Sequence, residues 1–466
     1  MEFSPSTVFH FVGVAGTGMS ALAQYLAQRG FSVTGSDRQF LTSGTRIESQ
    51  LKAEGIDCKP QDGSAITAQT SFVVVSTAIE SSNPDLAKAQ ELGVPTLHRS
   101  ELLARLTSER KTIAISGTSG KSTVTGMVYH ILEQAGLHPS LLSGAGLSSL
   151  EAQGKIGNAV AGSGEWLVCE ADESDGTLIR YHPEIGVILN IDKDHKEISE
   201  LKELFKTFAT QTKSVLIVNG DHPEAKEFSR ERAWEFGHEG WQGFQCLDFA
   251  PQGHWITFRI RHFGQLVKFT LPVPGRHNME NAQAACACAV ACGVTLRQCS
   301  DALATWGGIH RRHQILGTVQ GITLVDDFAH NPAKIAASIL ACKAFTQGRL
   351  MAWFQPHGFA PTKFMREELV SEVARVLGPE DQILFSRIYY AGGTAQQDIS
   401  AADLVADLKQ KGVRAYYIED RIVAAETLIQ EAFPQDTILF MGARDPSLGD
   451  FAQQTYQKLQ KSLRCV

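Results

Sequence analysis

The chain has 466 residues, more than one hydrophobic core ordinarily supports, so two to four domains are expected. With 43% hydrophobic and 20% charged residues it has an ordinary globular composition, and a net charge of -7 without a basic block gives no electrostatic footprint for nucleic acid or an anionic membrane. No apolar stretch approaches the length of a membrane-spanning helix, and Met1 to Thr7 lacks the cationic start and apolar run of a signal peptide, so a cytoplasmic protein is expected.

In chain order, Val8 to Val12 reads as a buried strand, Gly13 to Gly18 as a glycine-rich turn, Met19 to Arg29 as a helix and Ser32 to Asp37 as a second strand, a βαβ opening. Positions one, three and six of the dinucleotide fingerprint are filled by Gly13, Ala15 and Gly18, so the glycine that allows close backbone approach is replaced. A nucleotide-type ligand is expected at this turn, with Asp37 placed to hold a ribose hydroxyl; the alternative is a turn that only packs strand against helix. Phe72 to Ser76 reads as another buried parallel strand, and Pro95 to Leu106 leads out of this first domain.

Thr112-Ile113-Ala114-Ile115 then runs into Gly117-Thr118-Ser119-Gly120-Lys121-Ser122-Thr123 and a helical pattern. Glycines let backbone N–H groups curl inward and a helix N-terminus adds partial positive charge. Lys121 can neutralise phosphate oxygens and Ser122 can hold Mg2+, which together predict a nucleoside triphosphate site facing the Lys121 side chain. Only two residues separate Gly117 from Gly120, fewer than in the full G-x-x-x-x-G-K-[ST] pattern.

Two strands follow, Trp166 to Glu170 and Ile185 to Asn190, each delivering polar residues at its carboxyl end, where α/β sheets place ligands. After the first comes Glu170-Ala171-Asp172-Glu173-Ser174-Asp175, with Glu170 the leading Mg2+ ligand and a solvated acidic loop the alternative. After the second comes Asn190 to His195, where His195 can ligate a second metal or accept a proton, or lie idle on the surface.

Between Trp234 and Pro274, shorter alternating runs such as Trp255 to Ile260 suggest an antiparallel insertion. Gly275-Arg276-His277-Asn278 precedes a helix rich in small residues; Asn278 can read an adenine edge, although helix capping explains the same letters. Cys286, Cys288, Cys292 and Cys299 on and after that helix lack the spacing and histidines of a zinc site and are expected as small buried packing residues. Arg311-Arg312 is either a solvated pair or, at a hinge, a guanidinium reaching a γ-phosphate. From Gln314 onward, strands at Ile322 to Asp327, Leu350 to Phe354, Gln382 to Phe385 and Thr437 to Met441 alternate with helices, a further doubly wound unit. Asp326-Asp327-Phe328-Ala329-His330-Asn331-Pro332 and Phe354-Gln355-Pro356-His357 put acids and histidines at two of its strand ends.

Taken in order, these strings resemble the Mur ligase family, whose members join amino acids to UDP-N-acetylmuramic acid with ATP. The match runs through Gly13 to Met19, Gly35-Ser36-Asp37, Ser76-Thr77-Ala78-Ile79, the Gly117 to Thr123 loop, Glu170 to Asp175, Asn190 to His195, Gly275 to Asn278, Arg311-Arg312, Asp326 to Pro332 and Phe354 to His357. The resemblance implies a three-domain α/β fold: a Rossmann-like UDP-sugar domain over residues 1–106, a central P-loop ATPase-type α/β domain over 107–313 and a C-terminal Rossmann-like α/β domain over 314–466 that closes and brings the amino acid.

It also implies ATP and Mg2+ as cofactors, UDP-N-acetylmuramate as the acid, L-alanine as the amine, no nucleic acid or membrane partner, and a monomer or homodimer. Gly16, Thr17, Gly18, Met19, Ser36, Asp37, Ser76, Thr77 and Ala78 would meet the UDP-sugar. Gly117 to Thr123 would hold the phosphates with Lys121 on the β,γ-oxygens, and Ser122, Glu170 and His195 would hold metal. Asn278 would meet adenine, Arg312 the γ-phosphate and Asp327 the ribose, while His330 and His357 would line the meeting point of acyl group and amine. The reaction implied is phosphorylation of the lactyl carboxylate followed by amine attack on the acyl phosphate.

The chain departs from the pattern in one region. Members that attach L-alanine usually carry arginines after the Phe-Gln-Pro-His string to hold the amino-acid carboxylate, but here Gly358-Phe359-Ala360-Pro361-Thr362-Lys363 follows, and Phe328 and His330-Asn331 stand where tyrosine and paired histidines are usual. A cation is then needed for that carboxylate, and Lys363 or Arg366 is expected to supply it. Attachment of a recycled peptide, and a non-catalytic nucleotide-binding role on the same scaffold, are the alternative readings.

Overall fold

A computed structural model describes residues 3–41, 45–173, 176–192, 197–230, 233–238, 243–390 and 396–462. It divides into two compact units, Met1–Phe249 with Thr257–Pro272 and Arg276–Ile309, and Ala250–Ile256 with Val273–Gly275 and His310–Val466.

Unit 1 carries two sheets. In the first, β1 (Val8–Val12), β2 (Ser32–Ser36), β3 (Asp57–Lys59), β4 (Phe72–Val75) and β5 (Thr96–His98) lie in the order 3-2-1-4-5, all parallel. The near-continuous apolar runs of β1 and β4 suit strands covered on both faces. The strand order reverses between β1 and β4, the crevice where open α/β sheets bind ligands, and the Gly13 turn and the Ser76–Ala78 segment both leave the sheet there.

The second sheet comprises β6 (Lys111–Ser116), β7 (Ser140–Leu142), β8 (Ala159–Val160), β9 (Trp166–Glu170), β10 (Ile185–Ile188), β11 (Val215–Asn219), β12 (Ala233–Gly237), β13 (Phe244–Gln252), β14 (Trp255–His262) and β15 (Gln265–Leu271). Their order is 15-14-13-12-11-10-6-9-7-8. The parallel part extends further than the sequence suggests: β12, which holds Trp234, pairs parallel with both β11 and β13. Only β13 to β15 form a meander, with connections of two residues that join antiparallel neighbours alone, and β14 shows the alternation of a sheet with one wet face.

A single hydrophobic cluster runs from Phe9, Leu22 and Leu26 through Leu102 to Leu167, Phe205 and Phe228, so the first two sheets share a core. Across it, Gln24 Nε2 donates to Asn158 Oδ1 (2.8 Å), while Asn158 Nδ2 donates to Thr17 O (2.9 Å) and Ser20 Oγ (3.0 Å). Asn158 is 1% exposed, so these bonds are made out of water, and they fix the helix Thr17–Gln28 against the second sheet. Cys286, Cys288 and Cys299 are wholly buried, as expected of small apolar residues, whereas Cys292, past the end of the helix Arg276–Ala291, is only half-buried.

Unit 2 carries β16 (Gln314–Val319), β17 (Ile322–Asp327), β18 (Leu350–Gln355), β19 (Gln382–Phe385), β20 (Arg414–Tyr417) and β21 (Thr437–Gly442) in the order 16-17-21-18-19-20. All neighbours are parallel except the edge pair β16 and β17. Helices bury one core on each face, one around Ile335, Leu369 and Val373 and the other around Leu428, Phe451 and Leu459.

A buried polar network holds the first sheet's ligand edge. Asp85 accepts from Ser36 Oγ (2.5 Å) and Gly63 N (2.8 Å) and faces His10 Nε2 at 3.5 Å, while His10 Nδ1 meets Thr34 Oγ1 at 2.7 Å. Burial works against the Asp85 charge, but the facing His10 ring and the hydrogen bonds from Ser36 and Gly63 outweigh it and hold its pKa below the ordinary value. Asp85→Ala leaves these donors unmet and should cost about 2–4 kcal/mol, read as a lowered melting temperature at pH 7. Because the folded pKa is depressed, the gap between wild type and variant should stay constant above about pH 5 and shrink as pH falls below about 4. A gap that grows on acidification would contradict this account.

Candidate active site

The phosphate loop sits where three parallel strands end level. Ile188 pairs with Ser116 and Ile115 with Glu170, so β10, β6 and β9 deliver Asn190, the Gly117–Gly120 loop and Glu170 to one edge. Gly117 (φ 138°) and Gly120 (φ 86°) adopt backbone that favours glycine. A Cβ on Gly117 would lie 2.9 Å from Leu189 Cβ, and one on Gly120 would lie 2.8 Å from Asn281 Oδ1. Asn190 braces the loop: its Oδ1 accepts from Thr118 Oγ1 and Ser119 N, both at 2.8 Å, and its Nδ2 donates to Ser119 O at 3.1 Å. Asp192 N donates to Thr118 Oγ1 (3.0 Å), so the buried Thr118 side chain is a brace while Ser119 faces outward.

Lys121, Ser122 and Thr123 open the helix Lys121–Gln134. Lys121 is less free than the motif alone suggests. Its Nζ donates to Gly117 O (2.6 Å) and Glu173 Oε2 (2.8 Å), with Asp172 Oδ1 at 3.7 Å, and its side chain is 15% exposed. Burial disfavours both charges and pushes the Glu173 carboxyl above its ordinary range; for Lys121 the carboxylates of Glu173, Asp172 and Glu170 outweigh burial, its pKa is raised, and it stays charged. Glu173 thus occupies the ammonium that a phosphate would take.

Glu170 ends β9 with Oε1 accepting from Gly144 N (2.6 Å) and Ser143 Oγ (3.0 Å). Ser122 and Glu170 offer hard oxygen donors, the kind Mg2+ combines with phosphate oxygens. Among the described residues no cluster of three or more His, Cys, Asp or Glu is arranged to hold a metal, and His195 lies outside the described residues. The buried Asn278 lies in the first turn of the helix Arg276–Ala291, where Asn281 Nδ2 approaches Asn278 Oδ1 (3.4 Å), and the same Asn281 packs on Gly120. Phosphate loop and Asn278 are therefore neighbours.

At the first glycine turn, Asp37 Oδ2 accepts from Ala15 N and Oδ1 from Gln39 N, both at 3.0 Å. The amide that a third-position glycine would offer to a phosphate is turned inward to Asp37, which here shapes the turn. Gly16 and Thr17 are exposed and Gly18 half-buried at the start of the helix. Two expected contacts are not side-chain contacts in this arrangement: Met19 is 4% exposed and packs in the core, and the Ser36 hydroxyl is wholly buried on Asp85. Ser76 is half-buried and Thr77 and Ala78 exposed, beside the turn: a Cβ on Gly13 would lie 3.1 Å from Ile79 Cδ1. The Arg99 guanidinium is also here, with Nη1 3.1 Å from where a Gly18 Cβ would be.

Unit 2 separates its arginine pair. Arg311 is buried, Nε on Asp326 Oδ2 (3.0 Å) and Oδ1 (3.2 Å) and Nη2 on Gly442 O (2.8 Å), so it ties β17 to β21. Arg312 is exposed, its guanidinium 5.0 Å from the Phe328 ring centre. Asp326 is consumed by Arg311, whereas Asp327 stands half-buried at the end of β17. His330 Nδ1 donates to Phe328 O (2.9 Å), which leaves Nε2 as the acceptor, and its ring centre is 5.7 Å from that of His357. Burial pushes His330 down to about 4 and also lowers His357, helped by Arg444, so both imidazoles are neutral at pH 7. Asn331 is a helix cap, its Oδ1 accepting from Lys334 N at 2.9 Å.

Three family models cover most of the chain: the Mur ligase family catalytic domain over residues 8–111, the Mur ligase middle domain over 115–289 and the Mur ligase glutamate ligase domain over 311–444. The chain belongs to the Mur ligase family. It is 34% identical over 464 residues to the UDP-N-acetylmuramate–L-alanine ligase of Carboxydothermus hydrogenoformans, covering 97% of this chain and 96% of that one. Its fold matches the UDP-N-acetylmuramate-alanine ligase of Thermotoga maritima with TM-score 0.81 at 23% identity, covering 97% and 99%. The MurF ligase of Thermotoga maritima, solved with ADP, matches with TM-score 0.61 at 17% identity over 84% and 90%.

In this Mur ligase, sequence reasoning overlooked Asn190 as the brace of the loop, Asn281 as the side chain packed on Gly120, Glu173 as the counter-ion of Lys121, and Arg99 at the first turn. Asn190 was visible as a polar residue past a strand, but its partner 71 positions away was not. Asn190→Ala should weaken ATP binding by roughly ten-fold or more through loss of the loop's side-chain bonds, as read by titration calorimetry with circular dichroism unchanged. Unaltered affinity would contradict the bracing role.

Proposed function

We propose that this carbon–nitrogen ligase joins L-alanine to the lactyl carboxylate of UDP-N-acetylmuramate at the expense of ATP, in peptidoglycan precursor synthesis. The carrying observation is a braced phosphate loop, flanked by Lys121 and Glu170, in a chain 34% identical along 97% of its length to an enzyme of that name. In this reading residues 1–106 hold the UDP-sugar, 107–313 ATP and 314–466 the amino acid.

A carboxylate is a poor electrophile and its oxygen a poor leaving group, so the lactyl carboxylate first attacks the γ-phosphorus of ATP and ADP departs. Lys121 passes from Glu173 to the β,γ-phosphate oxygens, and the amides of the Gly117–Gly120 loop and the following helix N-terminus face the phosphates. Ser122 and Glu170 would hold Mg2+, which offsets phosphate charge; His195 is assigned to a second metal on its motif position. Asn278 takes adenine, Asp327 the ribose and Arg312 the γ-phosphate. Gly16, Thr17 and Gly18, with Ser76, Thr77 and Ala78, present backbone and hydroxyl groups to the UDP-sugar, while Asp37, Ser36 and Met19 shape that turn from behind.

The amine then attacks the acyl phosphate carbon, phosphate leaves and the amide forms. His330, with so low a pKa, is a poor proton store but a good neutral acceptor for an amine N–H, and His357 serves beside it.

Phosphate release and product mass, measured with UDP-N-acetylmuramate, ATP and a panel of amines, test the proposal. The expected product is the L-alanyl amide. Product only from a peptide would favour the recycling reading, and no phosphate release with any amine would favour a binding module. Because Lys121→Ala strands the Glu173 charge, at a cost of about 3 kcal/mol, the informative variant is Lys121→Met combined with Glu173→Gln, expected to fold and to lose roughly 100-fold or more in kcat. Retained turnover would remove Lys121 from the chemistry. The rate should show no His330 titration between pH 8 and 6, since the neutral form persists down to about 4; an inflection near 6.5 abolished by His330→Gln would contradict the assignment.

A further inference from the structure

The α-carboxylate of an amino acid needs a cation, and the two cations nearest the missing arginines are already neutralised. Lys363 Nζ is 2.5 Å from Asp398 Oδ2, and Arg366 makes a two-bond pair with Asp407 at 2.6 and 3.0 Å. Position 358 does not favour an arginine: Gly358 has φ 67°, its N–H is bound to Tyr389 O (2.8 Å), and a Cβ there would sit 3.2 Å from Pro361 Cδ.

Arg444 is not neutralised in this way. Parallel pairing of Gln355 with Gly442 sets β18 and β21 level, and two residues further on each chain come His357 and Arg444. Strand β21 lies between β17 and β18, so Arg444 leaves the sheet between the strand that leads to His330 and the strand that leads to His357. The residue is exposed and, among the described residues, no carboxylate or hydrogen-bond partner engages it. Its backbone is left-handed (φ 65°), a conformation that strains any residue but glycine, and such strain is kept at functional edges. Its charge adds to burial in lowering the His357 pKa.

A small, largely apolar cavity lined by Pro332, Phe354, Pro356, Thr362, Met365 and Leu369 opens between His330 and His357, a place for a short alkyl side chain.

We propose that Arg444 binds the α-carboxylate of the incoming amino acid, in place of the guanidinium groups absent at Gly358 and Pro361, an assignment that rests on the ligase function proposed above. A guanidinium fork matches a carboxylate in two parallel hydrogen bonds, which would turn the amino group toward His330 and His357 and the alkyl group toward the cavity.

The test uses the full-length enzyme with L-alanine and with L-alaninamide, which lacks the carboxylate. Arg444→Gln should raise KM for L-alanine by roughly 10- to 100-fold, leave kcat and the KM values for ATP and UDP-N-acetylmuramate within about two-fold, and leave KM for L-alaninamide unchanged. Arg444→Gly should lose L-alanine binding equally while melting no lower than wild type, since glycine relieves the left-handed backbone. Arg444→Lys should recover part of the affinity. An unchanged KM for L-alanine, or an equal rise with L-alaninamide, would overturn the assignment alone; a wild-type enzyme that forms no product with L-alanine would overturn the proposed function and this assignment with it.

Discussion

Strand register at the centre of unit 1 governs most of what the molecule can do. Because β10, β6 and β9 are parallel and end level, the loop after β6 has a polar wall on either side, Asn190 on one and Glu170 on the other. The loop fits that slot only with glycine at 117, where a Cβ would strike Leu189, and at 120, where it would strike Asn281. Shape and charge are therefore coupled: the curl that presents amides to an anion also brings Lys121 to Glu173. Without an anion, the site neutralises itself; with one, the phosphate must displace a buried carboxylate, a cost that favours a highly charged ligand over a single phosphate.

The first and second sheets behave as one body because they share a core and because Asn158 ties the start of the helix Thr17–Gln28 to the second sheet. The two glycine turns of unit 1 thus keep a fixed relation. Asn158 does this with donors and acceptors that are matched and buried, so sliding one sheet past the other would expose unmet polar groups. Unit 2 has its own sheet with a core on each face and is built on the same rule: polar residues past the carboxyl ends of β17, β21 and β18 gather on one edge.

Much of this was legible in the letters. The extents of β9, β17 and β19 follow from apolar runs bounded by polar residues, and the phosphate loop follows from its glycines and lysine. What was not legible is mostly direction. Met19 and Ser36 belong to matching strings, but nothing in a string tells a side chain that faces a ligand from one that faces the core. Arg311 and Arg312 are adjacent and alike, yet one is buried on Asp326 and the other exposed over Phe328. Strand β16, with a register shift between Ile315 and Gly317, lacks the clean alternation that marks an edge strand, and β12 hides as a parallel strand because its burial is intermediate along most of its length. Arg444 stands outside every matching string and becomes visible only when register sets it level with His357.

All of these arrangements serve one chemical idea, that a carboxylate on the sugar nucleotide is activated by taking the γ-phosphoryl group before an amine displaces it. Isotope transfer tests that idea most directly. With oxygen-18 in the lactyl carboxylate of UDP-N-acetylmuramate, the phosphate released during turnover with L-alanine should carry one labelled oxygen, because the carboxylate oxygen leaves with phosphorus. Phosphate free of label, alongside amide product, would contradict the acyl phosphate and the account built on it.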